Sequence, residues 1–264
     1  MRIALITGAS SGMGAEFAKQ IDRTEKDIDE IWLLARRKQR LEEIASGLRH
    51  RARAVPMDMT DDAGFEKLEK TFRQEKIQVG ILVNCAGYGK LGNYQAVSRF
   101  DSLNMIDLNC RAAVSITLSC LPYMKAGDRI IQICSTAAFQ PLQQVNIYSA
   151  SKAFLYNYTR ALRMELLPRR IAVLAVCPYW IRDTEFIGIA EKTGKETGQE
   201  KNRPLRHYLL ANTTAAQVAK RALRCSRRGY AVCTPGVICT LDRIFGKLLP
   251  REAMMYIWEG LRRI

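Results

Sequence analysis

The stretch Met1-Arg2-Ile3-Ala4-Leu5-Ile6-Thr7-Gly8-Ala9-Ser10-Ser11-Gly12-Met13-Gly14 decides how the chain is read. Ile3 to Ile6 is a short apolar run that ends in a turn spaced Gly-x-x-x-Gly-x-Gly. A helix-like segment follows over about residues 14–21. Strand, glycine turn and helix start, in that order, make a cradle for a pyrophosphate. Glycine lets backbone approach closely, and a helix start offers free N–H donors. Ser10 and Ser11 add hydroxyls for phosphate or ribose. An isolated glycine turn is also an ordinary strand-to-helix connection. Its place at the first βα turn favours the dinucleotide reading.

Working outward, the same rhythm repeats. Strands are expected over 31–35, 52–57, 80–84, 129–134 and 171–177, with a strand-like piece at 230–233. Helices are expected over 39–48, 61–72 (capped by Thr60 or Asp61), 101–124, 148–167 and 213–225. The apolar runs lack polar/apolar alternation, which suits a parallel sheet buried on both faces. Strands alternating with helices imply an α/β, doubly wound parallel sheet of the Rossmann type. No linker or repeat interrupts residues 1–264, so a single domain is expected. Two segments break the rhythm. Residues 184–207 are polar and weakly periodic, which reads either as a substrate lid or as a surface excursion. The segment 236–264 mixes Ile244, Phe245, Leu248, Leu249, Met254, Met255, Ile257, Trp258 and Leu261 with basic residues. It reads as amphipathic, packed on the body of the fold, on a second subunit or on a membrane surface.

Composition narrows the function classes. With 264 residues the chain buries a core without staples. Its 41 Lys+Arg against 26 Asp+Glu give +15, which favours anionic ligands. The basic residues are scattered in short clusters, such as Arg36-Arg37-Lys38 and Arg227-Arg228, with no accompanying nucleic-acid motif. Nucleic-acid binding is therefore not expected, and most of these charges read as solvated helix faces. None of the eight cysteines forms a Cys-x-x-Cys pair, which argues against zinc and thioredoxin-like chemistry. Buried, reduced thiols in a cytoplasmic protein are the simplest account. No signal peptide is expected ahead of the first strand, and no run approaches the roughly 18 apolar residues of a membrane span.

The second expected strand selects the cofactor. An acid at its end would bind the ribose diol of NAD, but here Ala35 is followed by Arg36 and Arg37. A guanidinium at that place can pair with the extra phosphate of NADP(H); the alternative is that these arginines begin a solvated helix, and the missing acid favours the NADP(H) reading.

These residues resemble the short-chain dehydrogenase/reductase family, in order, from Met1 to about Thr184. The glycine turn matches the family's cofactor motif. Asn84-Cys85-Ala86-Gly87 matches its Asn-Asn-Ala-Gly, with Cys in place of the second Asn. Ser135 and Tyr148-Ser149-Ala150-Ser151-Lys152 match its catalytic set. The resemblance implies an NADP(H)-dependent oxidoreductase that interconverts a ketone and a secondary alcohol. It implies catalytic roles for Ser135, Tyr148 and Lys152, and a proton-relay role for Asn109. Cofactor contacts are implied at Gly8, Ser10, Ser11, Gly12, Met13, Gly14, Arg36, Arg37, Asp58, Met59, Asn84, Ala86, Gly87, Tyr148, Lys152, Pro178, Ile181 and Thr184. The chain departs from the family after the sixth strand, where Pro178-Tyr179-Trp180 replaces Pro-Gly and the step to Thr184 is one residue longer.

The chemistry wants these residue types. Reduction of a ketone builds negative charge on its oxygen, which needs a proton. Tyrosine supplies one, but its ordinary pKa is near 10. A neighbouring ammonium favours tyrosinate and draws that value down. Tyr148 and Lys152 stand four apart and so share a helix face. Ser135 closes a strand at the crevice edge, where a hydroxyl stabilises developing charge. His50 and His207 lie away from the motifs, and no metal site is expected.

Substrate contacts are expected from Tyr88, Ser135, Phe139, Gln144, Tyr148, Tyr179 and Trp180. Their aromatic character favours a hydrophobic ketone, such as a steroid, a bile acid or an acyl chain. A homodimer or homotetramer is implied by the resemblance. Two other readings stand beside this one. The first is a non-catalytic NADP-binding sensor, against which the Tyr–Lys pair argues. The second is a membrane-associated, lipid-modifying reductase that uses the basic C-terminal segment.

Overall fold

The computed structural model describes residues 1–191 and 213–263. Seven parallel strands form one sheet, in the order β3-β2-β1-β4-β5-β6-β7. They are β1 (Arg2–Thr7), β2 (Glu30–Ala35), β3 (Arg51–Pro56), β4 (Gln78–Asn84), β5 (Arg129–Ile133), β6 (Ala172–Val176) and β7 (Val232–Cys233). The helices are α1 (Gly12–Thr24), α2 (Lys38–Ser46), α3 (Asp62–Gln74), α4 (Arg99–Ile106), α5 (Ala112–Cys120), α6 (Asn146–Leu166), α7 (Phe186–Glu191), α8 (Ala215–Arg227), α9 (Val237–Leu248) and α10 (Arg251–Arg263). The doubly wound parallel sheet expected from the sequence is what is found.

Strand alternation sorts the core into two layers. Ala4 and Ile6 of β1 face Phe17, Ile21, Val218 and Leu223 of α1 and α8. Ile3 and Leu5 face the opposite layer, with Phe65 and Phe72 of α3, Ile116 of α5 and Leu162 of α6. Burial on both faces explains why β2 reads as an unbroken apolar run after Glu30. Asp61 is the cap of α3, accepting from the Ala63 N–H at 3.1 Å.

Strand order reverses between β1 and β4, and ligands bind this architecture outside the carboxyl ends of the strands at that point. The glycine turn follows β1, Cys85-Ala86-Gly87 follows β4, Ser135 follows β5 and Pro178 follows β6. All four therefore reach one crevice.

One of the expected helices needs correction. The helix expected over 101–124 is α4 and α5 joined by a π-helical turn, Asp107–Arg111, and it ends in a 3₁₀ turn, Leu121–Tyr123, containing Pro122. The C-terminal segment folds as α9 and α10 with Pro250 between them, and packs on the body through buried Cys239, Met254 and Trp258. Of the expected lid, residues 184–191 are described and include α7. Residues 192–207, His207 among them, lie outside the described residues.

Candidate active site

One cleft of about 920 Å³ runs across the carboxyl ends of the strands. That volume is at the upper end of the roughly 300–1,000 Å³ usual for ligand sites. The glycine turn forms one flank. Gly8 has φ +65°, and a Cβ there would lie 2.8 Å from the Ala86 nitrogen. A Cβ on Gly14 would lie 2.3 Å from the Gly8 carbonyl oxygen. Side chains at either position would disrupt the packing that holds the turn. Thr7 ties it to the neighbouring strand, because its Oγ1 accepts from the N–H groups of Cys85 and Ala86, each at 3.0 Å.

Arg37 reaches over this turn. It donates to Ser10 Oγ at 3.0 and 3.1 Å, to Ser11 Oγ at 2.7 Å and to Glu185 Oε2 at 3.0 Å. Arg40 pairs with the other oxygen of Glu185. Hydrogen bonds from Arg40 and Arg37 hold that carboxyl down at about 2. Glu185 was not foreseen from the sequence. Arg36 lines the cleft beside Asp58. Asp58 Oδ1 accepts from Thr60 N at 2.9 Å and Thr60 Oγ1 at 2.8 Å. The Thr60 N–H is the main reason the Asp58 carboxyl lies below its ordinary range, with Arg36 contributing. No acid closes β2. The cradle and its guanidinium groups fit a phosphorylated dinucleotide. Gly8, Ser10, Ser11, Gly12, Met13, Gly14, Arg36, Arg37, Asp58, Met59, Ala86 and Gly87 all line the cleft, as do Pro178, Ile181 and Thr184. Thr184 reaches the turn despite the longer step, since a Cβ on Gly12 would touch its Cβ at 3.4 Å.

Asn84 is not brought to the cleft. Its buried amide donates to Thr117 Oγ1 at 2.9 Å and to the Ala113 carbonyl at 3.3 Å, bracing β4 against α5. Asn109 also stays behind the lining, 1% exposed. Its Oδ1 accepts from Tyr88 N–H at 3.0 Å, and its Nδ2 donates to Tyr88 O at 2.9 Å and Ser151 Oγ at 3.0 Å. This clamp sits within the π-helical turn, a distortion frequent at functional sites. A Cβ on Gly87 would lie 2.8 Å from Asn109 Oδ1 and 3.5 Å from Lys152 Nζ. Asn109 therefore positions Tyr88 and borders Lys152.

Ser135, Tyr148 and Lys152 meet in the cleft. Ser135 is extended at the end of β5, and its Oγ accepts from Ala137 N–H at 3.1 Å. Burial pushes the Tyr148 hydroxyl up to about 12, against the pull of its Ser135 hydrogen bond. Lys152 donates to the Ile133 carbonyl at 2.8 Å, and its own burial lowers its pKa.

The substrate end differs from expectation. Tyr88, Tyr179 and Trp180 line it. The Tyr88 hydroxyl is already committed to Asp101 O and Asn104 Oδ1, each at 3.1 Å. Phe139 does not reach the cleft and packs edge-on against Tyr156 with centroids 5.5 Å apart. Gln144 does not reach it either. Its backbone is left-handed at φ +66°, and its carbonyl accepts from Gly92 N–H at 2.7 Å. Gln140 faces the cleft instead, with Phe186 of α7, Leu241, Asp242 and Phe245 of α9, and Trp258 of α10. Phe186 contacts the Tyr148 ring at 5.3 Å between centroids. The apolar spacing of the C-terminal segment signalled a buried face but not what it covers.

His50 pairs with Asp22 at 2.9 Å, away from the cleft. No group of residues suited to a metal ion occurs among the described residues.

Comparison with known proteins agrees with this fold. A family model described as short chain dehydrogenase matches residues 2–193. An uncharacterised oxidoreductase of Staphylococcus epidermidis is 31% identical over 182 residues, 67% of this chain and 76% of that protein. A Sphingobium yanoikuyae short-chain dehydrogenase in complex with NADPH superposes with TM-score 0.75 at 28% identity, covering 97% of this chain and 96% of that one. A Burkholderia phymatum enzyme in complex with NAD shares the fold at TM-score 0.78 and 21% identity, over 93% of each chain. With its glycine cradle, its crevice at the sheet's switch point and this match, the chain belongs to the short-chain dehydrogenase family of oxidoreductases.

Proposed function

We propose that the protein is an NADP(H)-dependent reductase that interconverts a hydrophobic ketone and its secondary alcohol. The observation that carries this is the meeting of Tyr148, Ser135 and Lys152 in a cleft whose other half is the glycine turn with Arg36 and Arg37. When bound, the nicotinamide supplies the hydride. The Tyr148 hydroxyl gives its proton to the carbonyl oxygen, and the Ser135 hydroxyl holds that oxygen during the transfer. Lys152 steadies the tyrosinate left behind. Asn109 acts at one remove, by fixing Tyr88 and the floor beside Lys152. Arg37 with Ser10 supports preference for the phosphorylated cofactor, as does the NADPH held by the Sphingobium relative.

The aromatic and aliphatic wall of Trp180, Phe186, Leu241, Phe245 and Trp258 supports an apolar substrate of the steroid, bile-acid or acyl-ketone kind. Exposed Leu103, Ile106, Leu118 and Phe154 on α4, α5 and α6 support self-association as a dimer or tetramer. Free thiols, six of them buried, fit a cytoplasmic setting. No helix among the described residues is long and apolar enough to cross a membrane.

The test follows NADPH and NADH consumption over steroid, bile-acid, acyl-thioester and aryl ketones, with Tyr148→Phe as control. Turnover with NADPH that vanishes in the control is the expected result. NADPH binding with a silent panel would favour a sensor instead.

A further inference from the structure

The substrate end of the cleft is apolar on the α9 side except at one place. Asp242 lines it between Ile238, Leu241 and Phe245. Its Oδ1 accepts from Gln140 Nε2 at 3.1 Å, and the Thr136 hydroxyl is its second donor. Thr136 follows Ser135 directly, so this carboxylate is anchored to the turn that carries the serine.

Neither anchor is charged. Asp242 is half-buried, and two more deeply buried carboxylates are settled by cations. Glu25 meets both Arg129 and Arg227, and Asp128 meets Arg2. Among the described residues no lysine or arginine pairs with Asp242. A carboxylate partly drawn from water with only neutral donors is under-solvated. Burial accordingly raises its carboxyl above the ordinary range, and Gln140 and Thr136 offset only part of that effect. Gln140 adds to the imbalance. Its amide must turn Nε2 toward Asp242, which leaves Oε1 buried with no donor among the described residues. This corner of the pocket holds a surplus of acceptors beside the catalytic serine. Perturbed carboxylates in clefts are candidates for ligand contact.

We infer that Asp242, held by Gln140 and Thr136, is a specificity-determining contact, and that the carbonyl compound admitted carries a hydrogen-bond donor, a hydroxyl or protonated amine, on its apolar body. The inference rests on the ketone-reductase reading for the word carbonyl, but the subsite itself does not depend on turnover. A donor there completes the shell of Asp242, whereas a purely hydrocarbon body leaves the carboxylate unpaired and is disfavoured. The hydroxyl and the amine share this donor chemistry and differ in charge.

The experiment uses the full chain with NADPH at neutral pH. Calorimetry measures binding of 4-arylcyclohexanones bearing methyl, hydroxymethyl or aminomethyl at the meta or para position, and a parallel assay measures their reduction. Wild type, Asp242→Asn and Asp242→Leu are compared. Wild type is expected to bind the best donor-bearing compound at least about 10-fold more tightly than its methyl analogue, the scale of one hydrogen bond to a charged group. Asp242→Asn, nearly isosteric, loses the amine preference and keeps part of the hydroxyl preference. Asp242→Leu reverses the order in favour of methyl. KM follows these changes, while kcat stays within a few-fold. Equal binding of all three classes to wild type, or an amine preference that survives in Asp242→Asn, overturns the assignment whether or not the leucine variant folds. Donor-selective binding without NADPH consumption keeps the subsite and removes the reductase reading. Reduction without donor preference does the opposite.

Discussion

Lys152 Nζ lies 5.8 Å from the centre of the Tyr148 ring, one helical turn along α6, and is pinned there by the carbonyl of Ile133 at 2.8 Å. The buried tyrosine, held at about 12, keeps its proton through neutral pH, which suits a proton donor for reduction. In the proposed reaction the reverse direction needs tyrosinate, which a neighbouring ammonium would favour. Tyr148→Phe is expected to cost at least about 10²–10⁴ in kcat, the usual worth of general acid catalysis. Lys152→Met is expected to move the alkaline limb of the alcohol-oxidation profile to higher pH. Rate–pH profiles in both directions check this. An unmoved limb in Lys152→Met would leave the lysine with only a structural role.

Arg37 is shared between the serines of the glycine turn and Glu185. An added phosphate on the cofactor ribose is expected to take the place of one of these partners. Hydrogen bonds to charged groups contribute about 1.5–3 kcal/mol. Arg37→Ala should therefore weaken NADPH by about 10- to 100-fold and NADH by far less. Fluorescence titration of both cofactors reads the ratio directly, and equal weakening would show that Arg37 only shapes the turn.

Glu185, directly before α7, is tied to the N-terminal end of α2 through Arg37 and Arg40. Its carboxyl is depressed from 4.5 to about 2. A depressed folded-state value means that the contribution is present above the unfolded value and fades as pH falls. Wild type and Glu185→Gln should therefore differ in thermal stability by a constant amount from pH 7 to about 5. The difference should shrink between about 4.5 and 2, and salt should reduce it because the groups are largely exposed. Melting curves across that range test it, and a gap unchanged at pH 2 would exclude the ion pair as its source.

The parts of the site legible in the sequence are those fixed by local chemistry. Gly8 and Gly14 have no room for a side chain, so their spacing announces the turn. Tyr148 and Lys152 fall on one helix face by periodicity alone. What was illegible depends on partners distant in the chain. Asn84 stands two residues before the cleft-lining Ala86, and only the buried Thr117 reveals that it braces α5. The π-helical turn coincides with the Asn109 clamp on Tyr88, a partner twenty-one positions away that no helical pattern encodes. Gln140 faces the cleft and Gln144 does not, because Gln144 takes up a left-handed turn. Asp242 reaches Gln140 from α9, about a hundred positions later in the chain.

Trp258 makes the far wall of the cleft part of the fold rather than an appendage. It is 8% exposed, packs with Ala137, Leu142 and Val145, and donates from Nε1 to the Gln143 carbonyl at 3.1 Å. Removing a buried tryptophan side chain costs about 3–5 kcal/mol. Trp258→Ala should sit near the lower figure, since one edge of the ring already borders the open cleft. Trp258→Phe keeps most of the apolar volume but leaves the Gln143 carbonyl without that donor, a loss of about 1 kcal/mol. Function should split the same way. Trp258→Ala opens the substrate end and is expected to raise KM for apolar ketones by about 10-fold, with NADPH affinity unchanged, because the cofactor half of the cleft is built from other elements. Trp258→Phe should remain close to wild type in KM. Chemical denaturation and steady-state kinetics on the same two variants separate the effects. A Trp258→Ala variant that loses stability but keeps its KM would mean that α10 supports the fold without shaping the pocket.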